Sequence, residues 1–263
     1  LAASRQAGAS ASAYEDAVAA FAAVGAREAK LPLHHRCGSL LLTHGAKTAK
    51  SVIFFHGFTN CPAQFDELAP ELFALGYNVY VPLLPRHGEA DRMTLALAGL
   101  TAEELLATTD EAIDLARGLG DEVIVAGLSG GGTMAAWAGQ YRADAGGALA
   151  IAPFLGPQQV PVWANRAATN LLLLLPNLMV SWDASEPEGS AAMDYAYPRY
   201  ATHALAQFMR LGEILAASAE ANPPLAPRLG MLLNDADDAV NNLLARRLVA
   251  SWDPLGPRER AEA

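Results

Sequence analysis

The sequence predicts an α/β protein: a mostly parallel sheet flanked by helices. Two observations carry this. Short runs of β-branched and aromatic residues, apolar on both faces, recur as Ser51–Phe55, Asn78–Val81, Glu122–Ala126 and Gly147–Ile151. Stretches with apolar residues at helical spacing separate them, often stopped by glycine. Strands apolar on both sides suit a parallel sheet covered by helices, and the alternation implies right-handed βαβ crossovers.

Residues 1 to about 30 are rich in Ala, Ser and Gly, and Tyr14 to Lys30 reads as a peripheral helix. Leu40–Leu42 is a short strand, and a polar turn leads to the strand ending at Phe55. Pro62 to Leu75 has helical spacing in Phe65, Leu68, Leu72 and Leu75, with Gly76 as its stop. After the strand at 78–81, Thr101-Ala-Glu-Glu104 is a capping box that opens a helix ending near Gly118 and Gly120. A strand at 122–126, a helix over Thr133–Tyr141 and a strand at 147–151 follow.

The rhythm breaks between Pro153 and Pro227, which hold nine of the 16 prolines and two of the four tryptophans. This stretch reads as an insertion over the sheet. Arg228–Leu233 returns as a strand, and Asp238–Ser251 is the final helix. The expected division is an N-terminal extension at 1–36, a core at 37–152 and 228–263, and an insertion at 153–227.

The chain has 263 residues, 52% hydrophobic, and a net charge of −10 from 18 basic and 28 acidic residues. That hydrophobic share excludes a disordered chain. The acidity argues against nucleic acid, which needs a basic face, and against docking on anionic membranes. No apolar run approaches the ~20 residues that span a bilayer, so no stable membrane insertion is expected. The two cysteines, Cys37 and Cys61, allow one disulfide at most and equally allow two buried free thiols. The oligomeric state is not legible. The first residue is Leu1, and a leader removed before it leaves the compartment open between cytoplasmic and secreted or periplasmic.

Gly127-Leu128-Ser129-Gly130-Gly131 matches G-x-S-x-G between a predicted strand and a predicted helix. In that context the small neighbours permit a sharp turn that lifts the serine hydroxyl above the sheet edge. The N–H of Gly130 then lies at a helix N-terminus, where it can hold negative charge. The plainer reading is a glycine-rich helix cap. His56-Gly57-Phe58 follows the strand at 51–55, and the Phe58 N–H is a candidate second donor. His56 reads as a residue that stabilises its loop.

These motifs, with Pro85-Arg86-His87-Gly88, resemble the α/β-hydrolase superfamily, in particular its HGF-type carboxylesterases and monoacylglycerol-lipase-like members. The likeness spans roughly residues 37 to 250. It implies an α/β-hydrolase fold with a helical cap at 153–227, Ser129 as nucleophile, and Phe58 and Gly130 as oxyanion-hole donors. It further implies hydrolysis of a small-molecule ester through an acyl-enzyme. No metal and no organic cofactor is implied, and no H-E-x-x-H cluster is present.

Asn234-Asp235-Ala236-Asp237-Asp238-Ala239-Val240 resembles the family's G-x-x-D-x-x-V segment, which selects Asp237 as the acid, with Asp235 and Asp238 as neighbours in reserve. A plain acidic helix start explains the same residues. The family order places a histidine after the acid. The six histidines are His34, His35, His44, His56, His87 and His203, and none follows Asp237. Truncation or a frame shift near residue 253, a replacement base (His203 or His87), and a non-catalytic binding or scaffold protein each account for this. Impaired turnover is therefore expected.

Overall fold

The computed structural model describes residues 13–189 and 193–253. Among these residues, eight strands and seven α-helices follow one another: α1 (Tyr14–Glu28), β1 (Leu40–Leu42), β2 (Thr48–Phe55), α2 (Leu68–Ala74), β3 (Asn78–Val81), α3 (Ala102–Leu119), β4 (Gly120–Leu128), α4 (Gly130–Tyr141), β5 (Gly147–Ile151), α5 (Asn165–Leu174), β6 (Met179–Ser181), β7 (Arg199–Ala201), α6 (Thr202–Ala221), β8 (Leu229–Leu232) and α7 (Asn242–Trp252).

Six strands form one sheet in the order β1-β3-β2-β4-β5-β8. Only β1 runs antiparallel, against β3; every other pairing is parallel. The period-2 geometry of a strand sends alternate side chains to opposite faces. Ile53, Phe55, Val123 and Val125 pack on one face, with residues of α3, α4 and α6. Val52, Phe54, Val79 and Val81 pack on the other, with Phe65 and Ala69. Burial on both faces is the physical reason for the continuous apolar runs.

Several elements differ from the sequence expectation. The stretch 62–75 divides into a 3-10 turn at Pro62–Phe65 and the short α2, because Asp66 and Glu67 separate them. The capping box at Thr101 forms as expected, with the Thr101 hydroxyl accepting from the Glu104 N–H and the Glu104 carboxylate accepting from the Thr101 N–H. The last helix begins at Asn242, not at Asp238. The Asp237 carboxylate binds the N–H groups of Ala239 and Val240, which holds those residues in a turn. In chain order between β5 and β8, a separate antiparallel pair, β6–β7, forms within the stretch expected to be a helical cap. Long α6 from the same stretch buries Phe208, Met209, Leu211 and Leu215 in the core shared with the sheet.

Cys37 and Cys61 form a disulfide with Cα atoms 5.3 Å apart. It ties the segment before β1 to the loop after β2. Among the described residues, no helix is long and apolar enough to cross a membrane, and no group of three or more His, Cys, Asp or Glu is placed to hold a metal ion.

Candidate functional site

Ser129 joins β4 to α4 at φ 55°, ψ −114°. L-residues rarely adopt that region, and holding one there costs about 1–3 kcal/mol. The surroundings over-determine it. The Ser129 N–H donates to Ile151 O at 2.9 Å, and Ser129 O accepts from Thr133 and Phe154 at 3.1 and 3.0 Å. Gly127 and Gly131 have no alternative: a Cβ on Gly127 would stand 2.1 Å from Gly131 O, and one on Gly131 would stand 2.0 Å from Phe55 O. The close approach of two backbones thus dictates both glycines, and the bend between them turns Ser129 out of the strand. Ser129 is half-buried, and its hydroxyl makes no hydrogen bond to another described residue.

The loop after β2 comes beside this bend. A Cβ on Gly130 would lie 3.2 Å from Phe58 N and 2.9 Å from the Phe208 ring of α6. Neighbouring donors in the loop are occupied: Gly57 N–H binds the Gln64 side chain at 2.7 Å, and Asn60 N–H binds Gly57 O at 3.1 Å. The N–H groups of Phe58 and Gly130 have no acceptor among the described residues. Two unpaired amides next to a free hydroxyl can hold a negative charge that develops on an oxygen between them.

Asp237 sits in the loop after β8. Since β8 pairs with β5, and Ile151 at the end of β5 accepts the Ser129 N–H, this loop lies at the same carboxyl end of the parallel strands as Ser129. Asp237 Oδ1 accepts from Ala239 and Val240 at 2.9 and 3.0 Å. Asp235 is exposed and paired with Arg246. No hydrogen bond joins Asp237 to Ser129 among the described residues.

The histidines are engaged elsewhere. His56 Nδ1–H donates to Gly57 O at 3.0 Å, and its Nε2 accepts from the Leu84 N–H at 3.0 Å, which fixes the tautomer. Burial, with the neighbouring His87, pushes its pKa well below the ordinary value. His87 Nδ1–H donates to Pro85 O at 2.8 Å, and burial lowers its pKa to about 4. His203 Nε2 meets Leu175 O at 2.8 Å, and His44 Nε2 meets Phe73 O at 3.1 Å. The rings of His34 and His35 lie against one another at a tilt before β1. None of the six contacts Ser129 or Asp237 by a hydrogen bond among the described residues.

Thr59, Trp182, Tyr200 and Phe208 complete the surroundings. The Phe58 ring packs at 6.2 Å from Trp182, 6.0 Å from Tyr200 and 5.1 Å from Phe208. All three partners lie more than 120 positions away in the chain, so no local pattern announces them.

The sequence matches the model of the "Alpha/beta hydrolase family" over residues 52–262, most of its length. The chain belongs to the α/β-hydrolase family. This α/β hydrolase is similar in fold to a structure from the metagenome-derived lipolytic enzymes LipS and LipT, with 21% identity, TM-score 0.68, and 87% of this chain and 86% of that one covered. It is also similar to the monoacylglycerol lipase of Paleococcus ferrophilus (19%, TM-score 0.63, 84% and 85% covered). A soluble variant of monoglyceride lipase from Saccharomyces cerevisiae aligns at 13% identity and TM-score 0.64, covering 84% and 80%. No curated protein matches the sequence. At these identities the likenesses concern the fold of this α/β hydrolase.

Proposed function

We propose that the protein is a serine hydrolase of carboxylic esters, slow in the chain as written. The observation that carries this reading is the forced backbone at Ser129, between two glycines that admit no side chain. A structural turn has no use for such a conformation; a nucleophile elbow requires it. Ser129 Oγ attacks the acyl carbon of the ester, and its proton passes to a solvent water, which in turn protonates the leaving alkoxide. The N–H groups of Phe58 and Gly130 form the oxyanion hole. Collapse of the tetrahedral intermediate expels the alcohol, and water then releases the acid from the acyl-enzyme. Asp237 is the carboxylate that would orient a base. The segment 153–227 is the cap, and Trp182, Tyr200 and Phe208, which it packs around Phe58, supply apolar surface suited to an acyl group. The lipases among the similar folds support the same substrate class.

With no histidine at hand to take the proton, the rate falls steeply. Loss of that base from a serine triad costs roughly a million-fold, while the oxyanion hole and binding leave about a thousand-fold over water. The test is turnover of p-nitrophenyl butyrate by the chain and its Ser129→Ala variant, beside labelling with a fluorophosphonate probe. Slow turnover and labelling that both vanish in the variant are expected. Fast Ser129-dependent turnover would show that one of the six histidines, or another group, acts as base. That none of the six histidines hydrogen-bonds to Ser129 or Asp237 among the described residues favours a second reading, a binding protein that keeps the hydrolase fold; complete silence toward ester and probe would select it.

A further inference from the structure

Thr59, the residue after Phe58, has φ 65°. For a β-branched residue this left-handed conformation is a true outlier, and it persists only where neighbours impose it. Two of those neighbours come from the distant segment around β6 and β7. The Tyr197 N–H donates to Thr59 O at 2.8 Å, and the Trp182 indole Nε1–H donates to Thr59 Oγ1 at 3.0 Å. Tyr197 is itself fixed: its hydroxyl accepts from the Glu89 N–H at 2.7 Å, and its ring stacks on His87. Trp182 is fixed by a tilted ring contact with Tyr200 at 4.3 Å and by its backbone N–H, which donates to Pro198 O. On the far side the loop is closed by the Cys37–Cys61 disulfide.

We infer that Trp182 and Thr59 are positioning residues: the indole of the β6–β7 segment holds the peptide after Phe58 in its left-handed turn and so aims the Phe58 N–H toward the oxygen beside Ser129. The Phe58 N–H lies in the peptide plane between Gly57 and Phe58, and anchoring Thr59, one residue on, limits how far that plane can rotate within the short loop. The indole can act in this way because its N–H has one acceptor at the loop and its ring is held from behind. The catalytic part of the inference rests on the ester-hydrolase reading above; the mechanical part does not.

Two measurements separate them. The first is hydrogen exchange of the Asn60 and Tyr197 amides, which bind Gly57 O and Thr59 O. Trp182→Phe keeps an aromatic ring and removes the donor, and Thr59→Val keeps the shape and removes the acceptor. Each is expected to speed exchange at both amides by about tenfold, with the melting temperature held within a few degrees. Thr59→Ser, which retains the hydroxyl, is expected to exchange like the parent chain, and the double variant to be no faster than either single one, since both remove the same contact. Unchanged exchange in Trp182→Phe and Thr59→Val, or additive effects in the double variant, overturns the inference. The second is Ser129-dependent ester turnover, where kcat is expected to fall about tenfold with KM within about twofold. A loosened loop with unaltered kcat overturns the catalytic part. No Ser129-dependent turnover in the parent chain removes the ester reading alone, and exchange still decides whether the indole holds the loop.

Discussion

At the scale of the residue, Ser129 and His87 each pit a local cost against what the surroundings impose. Serine at φ 55°, ψ −114° is strained, and glycine is not. Ser129→Gly should therefore raise stability by about 1 kcal/mol while abolishing the chemistry, whereas Ser129→Ala keeps the Cβ and gains nothing. Urea denaturation of the two variants checks this; equal stabilities would mean that the bend stores no strain. His87 makes the complementary case. Burial holds its folded-state pKa at about 4, with its Nδ1–H on Pro85 O opposing the shift, and holds that of His56 lower than usual too. The unfolded chain, with histidines near 6.5, binds protons first as pH falls. The contribution of His87 is therefore fully present above about pH 6.5 and is lost progressively toward pH 4, on the order of 3 kcal/mol over that range. His87→Asn keeps a short N–H donor and cannot titrate there, so its denaturation midpoint should vary less between pH 7 and 4.5. A variant with the parent's full pH dependence would place the titration elsewhere.

At the scale of the element, what was legible depended on how local the cause was. The buried strands announce themselves because each is apolar on both faces, and α3 does so because Thr101 and Glu104 form its cap within one turn. The G-x-S-x-G bend was legible for the same reason, since its glycines answer to residues a few positions away and to the end of β2. The start of α7 was misread because an aspartate that looks like a helix cap instead closes a turn on Ala239 and Val240. The hairpin β6–β7 and the Trp182–Thr59 contact were not legible at all, because nothing near either residue encodes a partner 123 positions away. The cysteine pairing belongs to this group: spacing alone left it open, and only the packing of the pre-β1 segment against the β2 loop decides it. The bridge spans a separation of 24 residues, for which loop-closure entropy gives about 3 kcal/mol of stabilisation. Cys37→Ser or reduction with a phosphine should lower the melting temperature by several degrees. An identical melt with and without reductant would argue that the bridge adds no constraint.

At the scale of the whole molecule, two features act against each other. Among the described residues, β8 is paired on one side only, by β5, and so leaves an open sheet edge on which Leu232 is 47% exposed. An open strand edge is a template for pairing with another chain. Against that stands the net charge of −10, which makes copies repel at long range. Salt decides which effect prevails. The screening length falls from roughly 14 Å at 0.05 M, where the repulsion reaches across an approaching interface, to roughly 4 Å at 0.5 M, where it does not; strand pairing and apolar contact act at closer range and persist. Self-association should therefore be weak in low salt and grow with added sodium chloride, the reverse of an assembly held by ion pairs. Leu232→Lys, which places a charge on the edge, should suppress the growth. Light scattering at several protein concentrations in both salts reads the mass directly. A mass that stays that of one chain throughout would mean the edge is not available for pairing. A mass that falls with salt would mean that complementary charges, not the strand edge, bring the copies together.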